Sequence, residues 1–207
     1  MMATHTNKDA VHVMHLIKKN TIGAEIGVWM GNTSTQFLKK GLKKFYMIDP
    51  YSVEPYKQNS EMSYQEWLAK YQPITGEIAE AGFQKYYDRV FDDIKSRFKD
   101  FEEVELCRET SDNFFEKYLA SKGHGNFEML DWIYIDGDHS YEQCKKDLNN
   151  ALQIVKPGGL IIGDDYGWPD AKWEKPGVTK AVNEFVLQTD FGMNRKGMTQ
   201  YVIKVEA

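Results

Sequence analysis

The run DWIYIDGDHSYE at residues 131–142 opens as a buried strand, with Trp132, Ile133, Tyr134 and Ile135, and closes on Asp136, Gly137, Asp138 and His139. A second apolar run, Leu160, Ile161 and Ile162, passes directly into Gly163, Asp164 and Asp165. Neighbouring strands lie about 4.8 Å apart, so adjacency of these two would bring Asp136, Asp164 and Asp165 together at one edge. Carboxylates so crowded repel unless they are protonated or bridged by a cation. A hard divalent ion relieves that repulsion, Mg²⁺ first and Mn²⁺ or Ca²⁺ next. Asp136, Asp164 and Asp165 are therefore the candidate metal ligands. His139 is the candidate general base, because an unperturbed imidazole titrates at about 6.5, close to neutrality. The competing readings are a solvated loop in which one acid caps a turn, and a plain surface histidine. No Cys or His cluster suits structural zinc; His12 and His15 lack partners and read as surface residues.

A second group sits earlier in the chain. AEIGVWMGNTS places Glu25, Gly27 and Gly31 in an acid-x-Gly-x-x-x-Gly spacing. Gly27 lets the backbone turn sharply beside a ligand, and Gly31 permits close approach to the following helix. The three-glycine spacing of a dinucleotide fingerprint is absent. Glu25 would also repel a pyrophosphate, so a cationic or zwitterionic ligand fits better. Asp49, at the end of the next apolar run, could accept hydrogen bonds from both hydroxyls of a ribose, or form a turn before Pro50. Ser111 could touch an adenine ring or cap its helix.

Alternating elements must hold these residues. A helix is expected at 8–19, stopped by Asn20, then a strand at 21–28 and a helix at 33–40. Strands follow at 45–48 and 104–107, with Thr110, Ser111 and Asp112 as helix starters. The strand ending at Asp136 leads into a helix, KPGG turns the chain into a strand at 160–163, and a helix at 178–188 precedes a closing strand at 199–205. Such alternation predicts an α/β fold, a mainly parallel sheet with helices on both faces. Right-handed crossovers place the strand-to-helix loops along one edge. One stretch breaks the rhythm: residues 51–99 read as two helices, 61–71 and 77–98, interrupted by QPITG. Trp67, Tyr71, Phe83, Tyr86, Tyr87, Phe91 and Phe98 make this insertion either a lid over the ligand edge or a core of its own.

Taken together, EIGVWMG, MIDPY, KPGGLIIGDD and GVTKAVNEF resemble the class I methyltransferases that use S-adenosylmethionine, over nearly the whole chain. The resemblance implies a Rossmann-like, doubly wound sheet of seven strands with the last antiparallel, and TQYVIKV fits that strand. It places Glu25 and Gly27 on the methionine side of the cofactor, Asp49 on the ribose and Ser111 on the adenine, with Gly31 and Asp136 also among the cofactor-binding residues. More narrowly, IDGDHSYE followed by GDDY is similar to the metal-dependent O-methyltransferases of the macrocin and mycinamicin type. There the acids matching Asp136, Asp164 and Asp165 bind Mg²⁺, and the histidine matching His139 is the base. The implied reaction is methylation of a hydroxyl on a small molecule, sugar-like or natural-product-like. The insertion at 51–99 departs from that pattern, so the acceptor is not carried over. A metal-dependent hydrolase using the same acids, and an inactive methyltransferase-like binding protein, are the rival readings.

Composition narrows the classes further. The net charge of −5 and an isoelectric point near 5.6 argue against general binding of nucleic acid or anionic membranes. KKGLKK at 39–44 is a solvated flank. Cys107 and Cys144 are far apart and read as reduced packing residues. A chain of 207 residues suits one domain. The polar N-terminus makes the cytoplasm the expected location, and the first helix could pack against a second copy.

Overall fold

A computed structural model describes residues 10, 12–57, 63–122, 127–167 and 177–206. One sheet of seven strands runs through it, in the order β3-β2-β1-β4-β5-β7-β6. The strands are β1 (Ile22–Ile26), β2 (Lys44–Ile48), β3 (Val104–Cys107), β4 (Leu130–Ile135), β5 (Val155–Gly163), β6 (Met193–Lys196) and β7 (Gln200–Lys204). The first five pair in parallel; β7 pairs antiparallel with both β5 and β6. This is the doubly wound arrangement expected, with the closing strand reversed. Seven strands are found, as the resemblance implies, but no signal in the sequence marks β6, because MNRK is short and polar and lies at the sheet's rim.

Helices cover both faces. α1 (Asn32–Leu38) and α4 (Glu80–Phe98) lie on one side; α5 (Ser111–Ala120), α6 (Tyr141–Ile154) and α7 (Gly177–Thr189) lie on the other. Consecutive residues of a parallel strand point to opposite faces, so β4 supplies Trp132 and Tyr134 to the first core and Ile133 and Ile135 to the second. Burying each such side chain stabilises the fold by roughly 1.5–3 kcal/mol. Trp132 lies across β1, where a Cβ on Gly23 would come within 2.1 Å of its ring. The indole Nε1 donates to Thr21 Oγ1 at 3.1 Å, so this ring keeps its polar atom paired.

Three expectations about elements need correction. The start of the predicted helix at 8–19 lies outside the described residues. Its described part forms only a 3₁₀ turn at Met14–Leu16, and Ile17 is already extended. Val13 and Ile17 are buried there without a helix to space them, because they pack directly on the sheet's core. KPGG belongs to β5 rather than to a turn before it. The ladder jumps from Leu130↔Val155 to Trp132↔Leu160, and the extra residues bulge out around Gly158 at φ +80°. In the insertion, a short helix α2 (Glu54–Lys57) precedes α3 (Tyr64–Thr75), which runs through Pro73. Ser63 and Glu66 form a reciprocal capping box at its start, and Gly76 at φ +74° closes it. The beginning of the predicted helix at 61–71 lies outside the described residues. Trp67, Phe83, Tyr86, Tyr87 and Phe98 are buried in the same cluster as Phe37 and Trp132. The insertion's aromatics thus extend the core of the sheet instead of forming a separate one.

Among the described residues, no helix is long and apolar enough to cross a membrane. Both cysteines are free thiols, Cys144 buried and Cys107 half-buried.

Candidate active site

The register puts the ends of β1, β2, β4 and β5 side by side. Ile26 pairs with Ile48 and Ile135, and Ile135 pairs with Gly163. Asp49, Asp136, Asp164 and Asp165 therefore leave the sheet at one edge, as parallel strands require. Two backbone bonds tie this edge together: Gly27 N donates to Ile48 O at 2.9 Å, and Asp136 N donates to Ile26 O at 2.8 Å.

Gly27 stands at φ +88°, and a Cβ there would lie 2.0 Å from the carbonyl oxygen of Asp136. The glycine is demanded by the loop after β4 as much as by any ligand. Gly31, at φ +67°, is the N-cap of α1, and its missing side chain admits Ile94 and Phe98 of α4. Glu25 is 1% exposed and its Oε2 accepts from Ser34 Oγ at 2.5 Å, so this acid braces α1 against β1. Asp49 accepts the backbone N–H of Trp29 at 2.9 Å on one oxygen and that of Tyr51 at 2.8 Å on the other. Both residues sit at positive φ, +43° and +45°. Burial pushes the Asp49 carboxyl up, and the bonds from Trp29, Tyr51 and Val28 oppose it. Its two oxygens offer about four acceptor sites, so the carboxylate is held in place by these backbone bonds and keeps room for a ribose hydroxyl.

At the other end of the edge, Asp136, His139 and Asp165 each offer a ligand atom within 4.8 Å of the others. His139 Nδ1 is 3.1 Å from Asp165 Oδ2, and Nε2 is 3.6 Å from Asp136 Oδ1. Burial pushes the Asp136 carboxyl up to about 6; His139 pulls it down, and Asp164 and Asp165 push it further up. Two carboxylate oxygens at this spacing fit a divalent ion, with the imidazole beside them, and that crowding of like charge is what such an ion relieves. Of the three acids predicted to bind metal, Asp136 and Asp165 come together. Asp164 does not join this group: its Oδ2 accepts from Tyr134 Oη at 3.1 Å and Gln200 Nε2 at 3.4 Å, and its Oδ1 from Asp165 N at 2.8 Å.

Ser111 is the first residue of α5, and the cap is Thr110, whose hydroxyl accepts from Asn113 N at 3.3 Å. Ser111 Oγ instead accepts from Gln143 Nε2 at 3.1 Å; the same amide nitrogen is 3.0 Å from Asp112 Oδ1 and 3.0 Å from Asp147 Oδ1. Gln143, Asp147, Tyr134, Gln200 and Ser34 were not singled out in the sequence. The signal for Tyr134 was available. It stands two residues before Asp136, hence on the same strand face, and a buried tyrosine hydroxyl needs a partner.

Asp147 is wholly buried and its Oδ2 has no hydrogen-bond partner. Burial pushes its carboxyl from an ordinary 3.8 up to about 7, with Ser111 and Gln143 opposing. Between those pH values the folded protein holds a proton that the unfolded chain has lost. Stability is therefore undiminished below the window and falls as pH rises through it. The full shift is worth roughly 4 kcal/mol at 1.36 kcal/mol per pH unit. Asp147→Asn removes the ionisation but leaves one amide atom at the unpartnered position, which costs part of that gain. The variant should exceed the parent by about 2 kcal/mol at pH 8 and show no gain at pH 4. Urea denaturation at both values checks this, and a difference independent of pH would refute it.

The family described as "Methyltransferase domain" matches residues 24–166, from within β1 to just past β5. Among solved structures, the precorrin-6y C5,15-methyltransferase of Geobacter metallireducens GS-15 superposes with a TM-score of 0.59, covering 100% of this chain and 94% of its own at 11% identity. The O-methyltransferase NovP covers 95% of this chain and 76% of its own at 17% identity and a TM-score of 0.56. The N-methyltransferase NodS of Bradyrhizobium japonicum WM9 covers 95% and 92% at 11% identity and a TM-score of 0.55. At these identities the likeness is one of fold. The uncharacterized protein R132 of Acanthamoeba polyphaga mimivirus is 40% identical over 63 residues. That stretch is 30% of this chain, and the chain spans only 27% of the length of this curated relative.

Proposed function

The chain belongs to the methyltransferase-domain family, of the class I, S-adenosylmethionine-dependent kind, and on that premise we propose that it methylates a hydroxyl of a small-molecule acceptor, sugar-like or natural-product-like, with the help of a divalent ion. The observation carrying this reading is the Asp136–His139–Asp165 group beside the Gly27 turn. S-adenosylmethionine supplies an electrophilic methyl group, and the residues that would hold it are Glu25, Gly27 and Gly31 through the first loop, Asp49, Ser111 and Asp136. Mg²⁺ or Mn²⁺ would be held by Asp136 and Asp165 and supplies Lewis acidity toward a hydroxyl.

The chain's own part is proton transfer and positioning. His139 takes the hydroxyl proton on Nε2, which lies 3.6 Å from Asp136 Oδ1, while Nδ1 faces Asp165 Oδ2 at 3.1 Å and keeps its own N–H there. Asp165 also fixes the plane of the ring. Direct displacement leaves the protein little else to do, so alignment of the reactants should supply much of the rate. Asp49 contributes through a carboxylate whose direction is set by backbone bonds before any ligand arrives.

Calorimetry with S-adenosylhomocysteine tests the reading. Binding is expected with a Kd in the micromolar range, weakened at least about tenfold in Asp49→Ala, which loses the acceptor for a diol and the anchor of both loops. A hydrolase built on the same acids has no reason to bind this ligand, and an absence of binding would end the proposal.

A further inference from the structure

The three acids that the sequence groups together do different work. Resting on the divalent-ion part of the reading above, we propose that Asp164 is a positioning residue, which sets Asp165 in place beneath the ion site and does not itself hold the ion.

Asp164 is 7% exposed, and three donors converge on its two oxygens. Tyr134, with no exposure, and Gln200, at 2%, approach Oδ2 from inside the fold. Its own backbone N–H donates to Ile135 O at 3.2 Å, which pins the residue to the end of β4. A carboxylate so served by donors has its charge compensated within the protein. It needs no cation, and turning toward one would strand the buried hydroxyl of Tyr134.

The remaining bond does the positioning. Asp165 stands at φ +60°, a conformation unfavourable for an L-residue although aspartate tolerates it better than most. The bond from Asp165 N to Asp164 Oδ1, at 2.8 Å, holds that backbone turn. From it the Asp165 side chain reaches His139 Nδ1 at 3.1 Å. Were the bond lost, Asp165 would relax toward negative φ and its carboxylate would leave the group. The adjacent acids thus divide into one that faces the ion and one that shapes the turn.

Mn²⁺ titration of the full chain, followed by the electron paramagnetic resonance of the free ion, separates the roles. Asp136→Asn and Asp165→Asn should each weaken binding at least about tenfold. Asp164→Asn keeps an acceptor for Asp165 N–H and should stay within about threefold of the parent; Asp164→Ala has none and should lose about tenfold or more. Tyr134→Phe leaves every carboxylate intact. A positioning Asp164 predicts weaker Mn²⁺ binding in that variant, whereas a ligating Asp164, released from Tyr134, predicts equal or tighter binding. Circular dichroism and melting above the assay temperature show that each variant is folded, so loss of stability alone does not mimic the result. Asp164→Asn as damaging as Asp165→Asn overturns the proposal and leaves the ion site standing. A parent protein that binds S-adenosylhomocysteine but no Mn²⁺ ends the ion reading itself, and the proposal with it.

Discussion

His139→Gln should lower turnover by about 10²- to 10⁴-fold while leaving S-adenosylhomocysteine affinity and melting temperature close to those of the parent. The ring is half-exposed and lies between two carboxylates, at 3.1 Å from Asp165 and 3.6 Å from Asp136. It belongs to neither hydrophobic cluster, so its replacement opens no cavity in the core. Glutamine can still donate a hydrogen bond to Asp165 but cannot take up a proton near neutrality, so the loss isolates proton transfer from positioning. Turnover is read as S-adenosylhomocysteine released with a panel of vicinal-diol acceptors. A His139→Gln enzyme as fast as the parent would remove the base from the mechanism.

Gly27→Ala should be the most damaging single methyl group in the chain, weakening S-adenosylhomocysteine binding at least about 100-fold or preventing folding. Two costs add at this position. An alanine at φ +88° pays about 1–2 kcal/mol in backbone strain. Its Cβ would also lie 2.0 Å from Asp136 O and 2.8 Å from Gly137 Cα, both backbone atoms that no rotamer change can move aside. Either the loop after β1 or the one after β4 must shift, and both border the proposed site. Gly158→Ala is the control: its φ is +80°, but nothing lies within 4 Å of the added carbon. The control should lose only the strain, about 1–2 kcal/mol by denaturant titration, with binding unchanged. Equal effects of the two substitutions would show that backbone strain, and not the approach of the two loops, makes Gly27 necessary.

The sheet was legible because its signals are local and redundant. Apolar runs of strand length, each followed by a polar turn and a helical period, are written in consecutive residues, and burial on both faces leaves them no alternative. β6 escaped because MNRK gains its strand conformation from pairing with β7 and from nothing in its own composition. The helix expected at 8–19 failed for a related reason. Val11, Met14 and Ile17 have helical spacing, yet the described residues of that stretch bury Val13 and Ile17 directly against the sheet's core. Tertiary contact overrode a weak periodic signal.

For the candidate site, the residue types and their common edge were readable from order along the chain. Asp49, Asp136, Asp164 and Asp165 all follow parallel strands of one sheet, so topology alone assembles them. What single residues do at that edge was decided only by the folded structure. Which of two adjacent aspartates faces a histidine depends on one backbone φ of +60° and a bond from Tyr134, thirty residues away. Glu25 meets Ser34, and Ser111 meets Gln143 and not its own helix end, for the same reason. Strand endings are set by chemistry along the chain, whereas the direction of a side chain is set by the donors that fold in around it.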